Sequence, residues 1–175
     1  MPDSGRAHRG ATRLLNAMNA YCLLLRKDLR EPLLAVRWPD DVTLATLEPQ
    51  WLPQAHALLE QAYRGGNGRV ESLQHWQHAL VHDAEYDPQL SFALLRKGQV
   101  IAFAQAWTSA FLKDLVVHPD HQRHGLGDAL LSHVFAVFRQ RREARVDLKV
   151  MEHNHTALRL YQKHGMTLVQ REQVR

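Results

Sequence analysis

Asp114-Leu115-Val116-Val117-His118-Pro119, continued as Asp120-His121-Gln122-Arg123-His124-Gly125-Leu126-Gly127, is the stretch whose reading decides the fold. Leu115-Val116-Val117 is an apolar, β-rich run, and His118-Pro119 stops it because proline has no N–H for a ladder. Past the glycines, Leu126, Ala129, Leu130, Val134, Val137 and Phe138 recur at helical spacing. Asp128 falls in the first turn and Arg139, Arg141 and Arg142 at the end, where they complement the helix dipole. The order is strand, glycine loop, helix. The first amides of such a helix lack internal partners, and glycine lets an anion approach the main chain, so a pyrophosphate suits the turn. The competing reading is that Gly125 and Gly127 serve only a tight connection.

Gln122-x-x-Gly125-x-Gly127 behind this strand resembles the acetyl-CoA signature of the GCN5-related N-acetyltransferases, Gln/Arg-x-x-Gly-x-Gly/Ala. The glycine spacing differs from the Rossmann fingerprint, and the Gly-Lys-Ser/Thr ending of a P-loop is missing. A second motif of the family follows in order, Asn154-x-x-Ala157-x-x-Leu160-Tyr161-Gln162-Lys163-His164-Gly165. The resemblance spans about Asp41 to Gln170. It implies an α+β acyl-CoA N-acyltransferase fold: a mixed, mostly antiparallel sheet of six or seven strands flanked by about four helices. It also implies acetyl-CoA as cosubstrate and an amine as acceptor.

Carried onto this sequence, the resemblance assigns Leu115, Val116 and Val117 to main-chain contact with the cofactor, where their strand splays from the one at Val146 to Met151. Gln122, Arg123, His124, Gly125, Leu126 and Gly127, with Asp128, become the pyrophosphate turn. Asn154 stands at the pantetheine end, and Tyr161 is the family's tyrosine. Asp114 holds the acidic position of the Asp-Leu-x-Val type.

Elementary chemistry supports two of these roles. A departing thiolate needs a proton; thiols titrate near about 8.5 and tyrosine near about 10, so Tyr161 is protonated at neutral pH and competent as a general acid. On a helix, Asn154, Ala157 or Leu158, and Tyr161 share one face. The alternative for Tyr161 is a core aromatic with a satisfied hydroxyl. A bound ammonium must lose its proton before attack; Asp114 is the first candidate to assist and Glu152 the second, and either could instead sit in an ion pair.

Composition narrows the remaining classes. Of 175 residues, 22 are Lys or Arg and 18 Asp or Glu, a net charge of +4 that suits an anionic cofactor and gives little ground for nucleic acid. Arg139 to Arg145 reads as cations at a helix end. Cys22 is the single cysteine, which excludes an internal disulfide and a cysteine zinc cluster. The spacing of His118, His121 and His124 on a turn does not suit a metal, so none is expected. No apolar run reaches membrane-spanning length, and Asn16 and Asn19 interrupt the Leu14 to Leu25 patch that superficially resembles a leader. A cytoplasmic location, with no membrane partner, is the expectation.

The rest of the chain divides at residue 40. Residues 1–40 are read as an extension with an amphipathic helix over Ala11 to Lys27, whose face of Leu14, Leu15, Met18, Tyr21, Cys22 and Leu25 packs on its own domain or forms a homodimer contact. Residues 41–175 are read as the acetyltransferase domain. Strands are expected at Val42–Leu47, Ser91–Leu95, Val100–Trp107, Phe111–Val117, Val146–Met151 and Thr167–Gln170, and helices from Pro53 to Tyr63, Val70 to His82, and Asn154 to Lys163. Lys97-Gly98 marks a hairpin. Tyr63 to Glu71 is either a lid over the acceptor or a plain connector. Met166 replaces an aromatic common in the family, and the chain stops at Arg175 where the family has a further strand, so that strand is either very short or supplied otherwise, as by a partner subunit. Three activities stay open: acetylation of a small-molecule primary amine such as a polyamine, amino acid or aminoglycoside-like compound; acetylation of a protein or peptide amine; or acyl-CoA binding without turnover.

Overall fold

The computed structural model describes residues 20–64 and 69–174. Seven strands, β1 (Tyr21–Asp28), β2 (Thr43–Thr46), β3 (Ser91–Arg96), β4 (Gln99–Trp107), β5 (Phe111–Val117), β6 (Arg145–Met151) and β7 (Thr167–Gln173), form one sheet in the order β2-β3-β4-β5-β6-β1-β7. Helices α1 (Leu52–Tyr63), α2 (Leu73–His82), α3 (Leu126–Gln140) and α4 (His155–Lys163) cover it. Every strand pair is antiparallel except β5 with β6, which α3 joins as a crossover.

Local chemistry accounts for most boundaries. Lys97 and Gly98 both take positive φ, 50° and 74°, the left-handed pair that turns β3 tightly into β4. Ser72 caps α2 by accepting a hydrogen bond from the His75 amide, so that helix begins later than its apolar pattern suggests. β4 is buried along nearly its whole length because both of its faces are covered. On one face Ala102, Ala104 and Ala106 pack in a core with Leu130, Val134 and Phe138 of α3; on the other, Phe103 packs with Leu58 and Leu59 of α1 and Trp76 of α2. The sheet therefore separates two apolar cores, one under α3 and α4 and one under α1 and α2.

The N-terminal helix expectation is overturned for Tyr21 to Lys27, which form β1. Burial alternates there, with Leu23, Leu25 and Lys27 turned inward. A run of leucines fits either period, and pairing along both edges decides for strand. β1 runs antiparallel to β6, from Cys22 opposite Met151 to Asp28 opposite Arg145, and antiparallel to β7 on its other side. It lies between β6 and β7 as the seventh strand, so the chain's own N-terminal segment is part of the sheet, which extends into residues before 41. The expected helix face is therefore not formed at Tyr21, Cys22 and Leu25; its remainder, Leu14, Leu15 and Met18, lies outside the described residues. No described helix is long and apolar enough to cross a membrane.

Candidate active site

β5 and β6 are in register only where Phe111 lies opposite Asp147 and Leu112 opposite Leu148. Beyond that point they part. On the other edge of β5 the register against β4 slips by one residue: Leu112 faces Ala106, Asp114 faces Gln105, and Lys113 is extra. A bulge of this kind bends its strand, and here the bend opens the gap to β6. The His118 amide donates to the Ile101 carbonyl at 2.8 Å. By ladder alternation, the main-chain groups of Val116 then face β4, while those of Leu115 and Val117 face the gap. Of the three residues expected to hold a ligand by main chain, Leu115 and Val117 are placed for it, and Val116 is engaged by β4.

The turn after β5 ends at Gly125, with φ 77°, the N-cap residue of α3, which makes no side-chain cap. Arg123 is also left-handed, at φ 67°. The first amides of α3 are thus left for a ligand, and Gly125 takes a φ that a β-carbon disfavours. A β-carbon on Gly127 would lie 3.3 Å from Leu160 Cδ2, so glycine here lets α3 and α4 meet. Leu126 points into the core. Leu115, Val117, Gln122, Arg123, Gly125 and Gly127, with α4, line a groove of about 420 Å³. His124 lies outside the lining but faces His121 at 6.5 Å between rings.

Two side chains of this turn do more than their spacing reveals. Asp128 binds Lys163 Nζ at 3.0 Å and His164 Nε2 at 2.8 Å, bracing α3 against the end of α4. Burial pushes its pKa up, but the hydrogen bonds from Lys163 and His164 outweigh that and hold it below its ordinary value. His121 Nδ1 lies 2.9 Å from Arg96 Nη1. A guanidinium only donates, so this nitrogen accepts and the proton sits on Nε2 of a neutral ring. Burial, then Arg96, His118 and His124, depress the His121 pKa in the same sense. His121 lines the groove too. Among the described residues no group of three or more His, Cys, Asp or Glu is placed to hold a metal ion.

At the inner end of the gap lies a cavity of about 230 Å³, whose wall includes Tyr63, Asp114, Leu115, Asn154 and Tyr161. Tyr161 is only 8% exposed, and burial, followed by Tyr63 and Asp114, pushes its pKa up to about 12. Asp114 is equally buried, and loss of solvent raises its pKa against an opposing pull from Lys113. Tyr63, raised by burial and by Asp114, completes a cluster of three. Asn154 caps α4, its Oδ1 accepting from the Ala157 amide at 3.2 Å, and it lines the cavity.

A second cavity of about 300 Å³ on the α1/α2 side shares Tyr63, Lys113 and Asp114 with the first, and adds Arg69, Glu71 and Trp76. Residues 65–68 of the expected lid lie outside the described residues; Tyr63, Arg69 and Glu71 line the cavity. Glu152 lines neither cavity. Its carboxylate is held by Arg171 at 2.6 and 3.0 Å, and that hydrogen bond lowers its pKa. Cys22, by contrast, lines the inner cavity, a placement hidden from a reading that put it on a helix. Tyr63 was legible as a helix end and as the start of the expected lid, but nothing in its spacing shows that Asp114 and Tyr161 stand beside it.

The groove fits an acyl-CoA thioester on structural grounds: a left-handed glycine, uncapped helix amides, and strand amides without a neighbour, in one line ending at Tyr161. Comparison with known proteins gives the same direction. The profile described as "Acetyltransferase (GNAT) family" matches residues 52–166. The [ribosomal protein bS18]-alanine N-acetyltransferase of Escherichia coli (strain K12) is 30% identical over 126 residues, covering 70% of this chain and 79% of that protein. Mycothiol acetyltransferase of Acidothermus cellulolyticus is 28% identical over 181 residues, covering 89% of this chain and 54% of that one. A GCN5-related N-acetyltransferase from Sphaerobacter thermophilus shares the fold at TM-score 0.73 and 22% identity, covering 93% of this chain and 54% of that chain. The chain thus spans about half the length of the last two.

Proposed function

Because this chain belongs to the GNAT acetyltransferase family, whose members use acetyl-CoA as cosubstrate, we propose that it acetylates the primary amine of a small molecule by direct attack of that amine on the thioester. The observation that carries this reading is the gap between β5 and β6, which joins the groove on the α3/α4 side to the cavity on the α1/α2 side, with Tyr161 and Asp114 lining it.

Acetyl-CoA, when bound, supplies an activated acetyl group. The Leu115 and Val117 main-chain groups orient the arm that carries it, and the amides of α3 hold the charged end with the Gln122 to Gly127 turn. Asp114 accepts a hydrogen bond from the ammonium of the acceptor and takes up its proton, directly or through water. Its buried setting raises the carboxyl towards the pKa a general base needs. Tyr161, held protonated, keeps a proton at its hydroxyl for the departing sulfur. Tyr63 lines both cavities beside Asp114.

A second reading, acetylation of a peptide α-amine, is favoured by the relative whose name specifies the alanine of a ribosomal protein. Release of free thiol from acetyl-CoA across a panel of polyamines, amino acids and aminoglycosides, with a peptide pool alongside, separates the two. Turnover with small amines supports the first reading; turnover with peptides alone replaces it by the second.

A further inference from the structure

The connection between β1 and β2, residues 29–42, has no part in the activity as described so far. It leaves β1 at the buried Leu29 and passes α3, where the Trp38 ring lies 5.5 Å from that of His133. On the way it forms one wall of a cavity of about 340 Å³. Leu34, Ala35 and Arg37 come from the connection, Ala129 and the buried Ser132 from α3, and Lys163 from α4. The remaining lining residues, Gly125 and Asp128, also line the thioester groove, so this cavity begins where that groove ends.

The continuity decides what could occupy it. A ligand whose thioester lies at Tyr161 and whose pyrophosphate lies on the Gly125 to Gly127 turn has a flat, largely apolar base and a ribose phosphate still to place. The cavity offers both complements. Leu34, Ala35 and Ala129 make an apolar surface for a base, while Arg37 and Lys163 are cations beside it. Lys163 is partly neutralised by Asp128 at 3.0 Å. Arg37 is exposed and held by no ion pair among the described residues, and its planar fork suits a phosphate. We propose that residues 29–42 form a wall of the cofactor site in which Arg37 binds the ribose 3′-phosphate of CoA, making this otherwise unassigned segment the part of the chain that distinguishes CoA from its dephosphorylated form. The inference rests on the cofactor reading above.

Calorimetric titration of the full chain with CoA, dephospho-CoA and 3′,5′-adenosine bisphosphate tests it without reference to turnover. Wild type is expected to bind CoA more tightly than dephospho-CoA. Arg37→Ala is expected to weaken CoA and the bisphosphate by about tenfold, in line with loss of one charge-assisted hydrogen bond, and to leave dephospho-CoA unchanged. Arg37→Glu should weaken CoA further with no change for dephospho-CoA. Equal losses for CoA and dephospho-CoA in Arg37→Ala, or equal affinity of wild type for the two, would overturn this inference alone. Failure of wild type to bind either would overturn the cofactor reading with it.

Discussion

The face of the sheet under α3 and α4 and the face under α1 and α2 meet at one gap but present different groups to it. On the first, the groups available to the cofactor are mainly main-chain amides, from Leu115 and Val117 and from the start of α3. Main chain reaches a ligand only where the backbone permits it, so that face demands particular residues at fixed spacings: Gly125 at φ 77°, and Gly127 where Leu160 lies 3.3 Å from a would-be β-carbon. On the second face the contacts come from side chains of α1, α2, β5 and the connection between the two helices, namely Tyr63, Trp76, Asp114 and Glu71. One face is thus constrained by backbone geometry and the other by choice of side chain, and single substitutions can pull the two apart.

The largest effect is expected where the faces meet. Tyr161→Phe keeps the packed ring and removes only the hydroxyl, so turnover should fall by about 10²-fold or more, within the range of lost general acid catalysis. CoA affinity and the thermal midpoint should stay near wild type. A variant that binds CoA normally and turns over at the wild-type rate would remove the hydroxyl from the reaction.

Asp114→Asn acts on the acceptor side. Turnover should fall by about tenfold or more with CoA affinity unchanged, and the acidic limb of the pH–rate profile should vanish. The same substitution has a stability signature of the opposite sign. Burial raises the Asp114 pKa above its ordinary 3.8, so the folded state favours the neutral carboxyl. That contribution is complete below 3.8 and is lost as pH rises through the folded value. Asn cannot ionise, so the variant should gain stability relative to wild type as pH rises from acid to neutral. Urea unfolding at several pH values measures this; a stability difference between variant and wild type that stays constant, or shifts towards wild type as pH rises, would contradict it.

Gly125→Val tests the cofactor side by backbone alone. A β-branched residue in a left-handed conformation costs about 1–2 kcal/mol, and relief of that strain moves the amides of the turn. CoA affinity should drop by about tenfold while the pH dependence of the residual activity stays as in wild type. An affinity equal to wild type would mean that the turn does not hold the cofactor.

The same contrast explains what could be read from the chain before its structure. The elements from β2 to β7 and the turn at Gln122 to Gly127 were legible because glycine and proline positions, helix periodicity and strand alternation are local signals. β1 was not. Leu23-Leu24-Leu25 carries no period of its own, and only its partners, Lys149 on one side and Gln170 on the other at Leu24, make it a strand. That error hid the placement of Cys22 in the inner cavity and left residues 29–42 without a role. Tyr63 and His121 were hidden for a related reason: their importance lies in contacts with Asp114 and Arg96, distant in sequence. In the other direction, the pattern promised Val116 as a main-chain contact equal to its neighbours, and only the pairing with β4 distinguishes it.

The smallest effect should come from Glu152→Gln. Sequence alone left Glu152 as a second candidate for the base. The structure holds its carboxylate against Arg171, which also lies over the Tyr21 ring at 3.4 Å, so that this group links β7 to β1 at the edge of the sheet. The side chain is 42% exposed, and the hydrogen bond from Arg171 keeps its pKa low, the wrong direction for a base. Turnover of the variant should therefore stay within about twofold of wild type, because exposed ion pairs contribute little and this one lines neither cavity. The acidic limb of its pH–rate profile should not move. If it moved while that of Asp114→Asn stayed in place, the proton would leave towards the β1–β7 edge, and the division of labour between the two faces would have to be redrawn around the N-terminal strand.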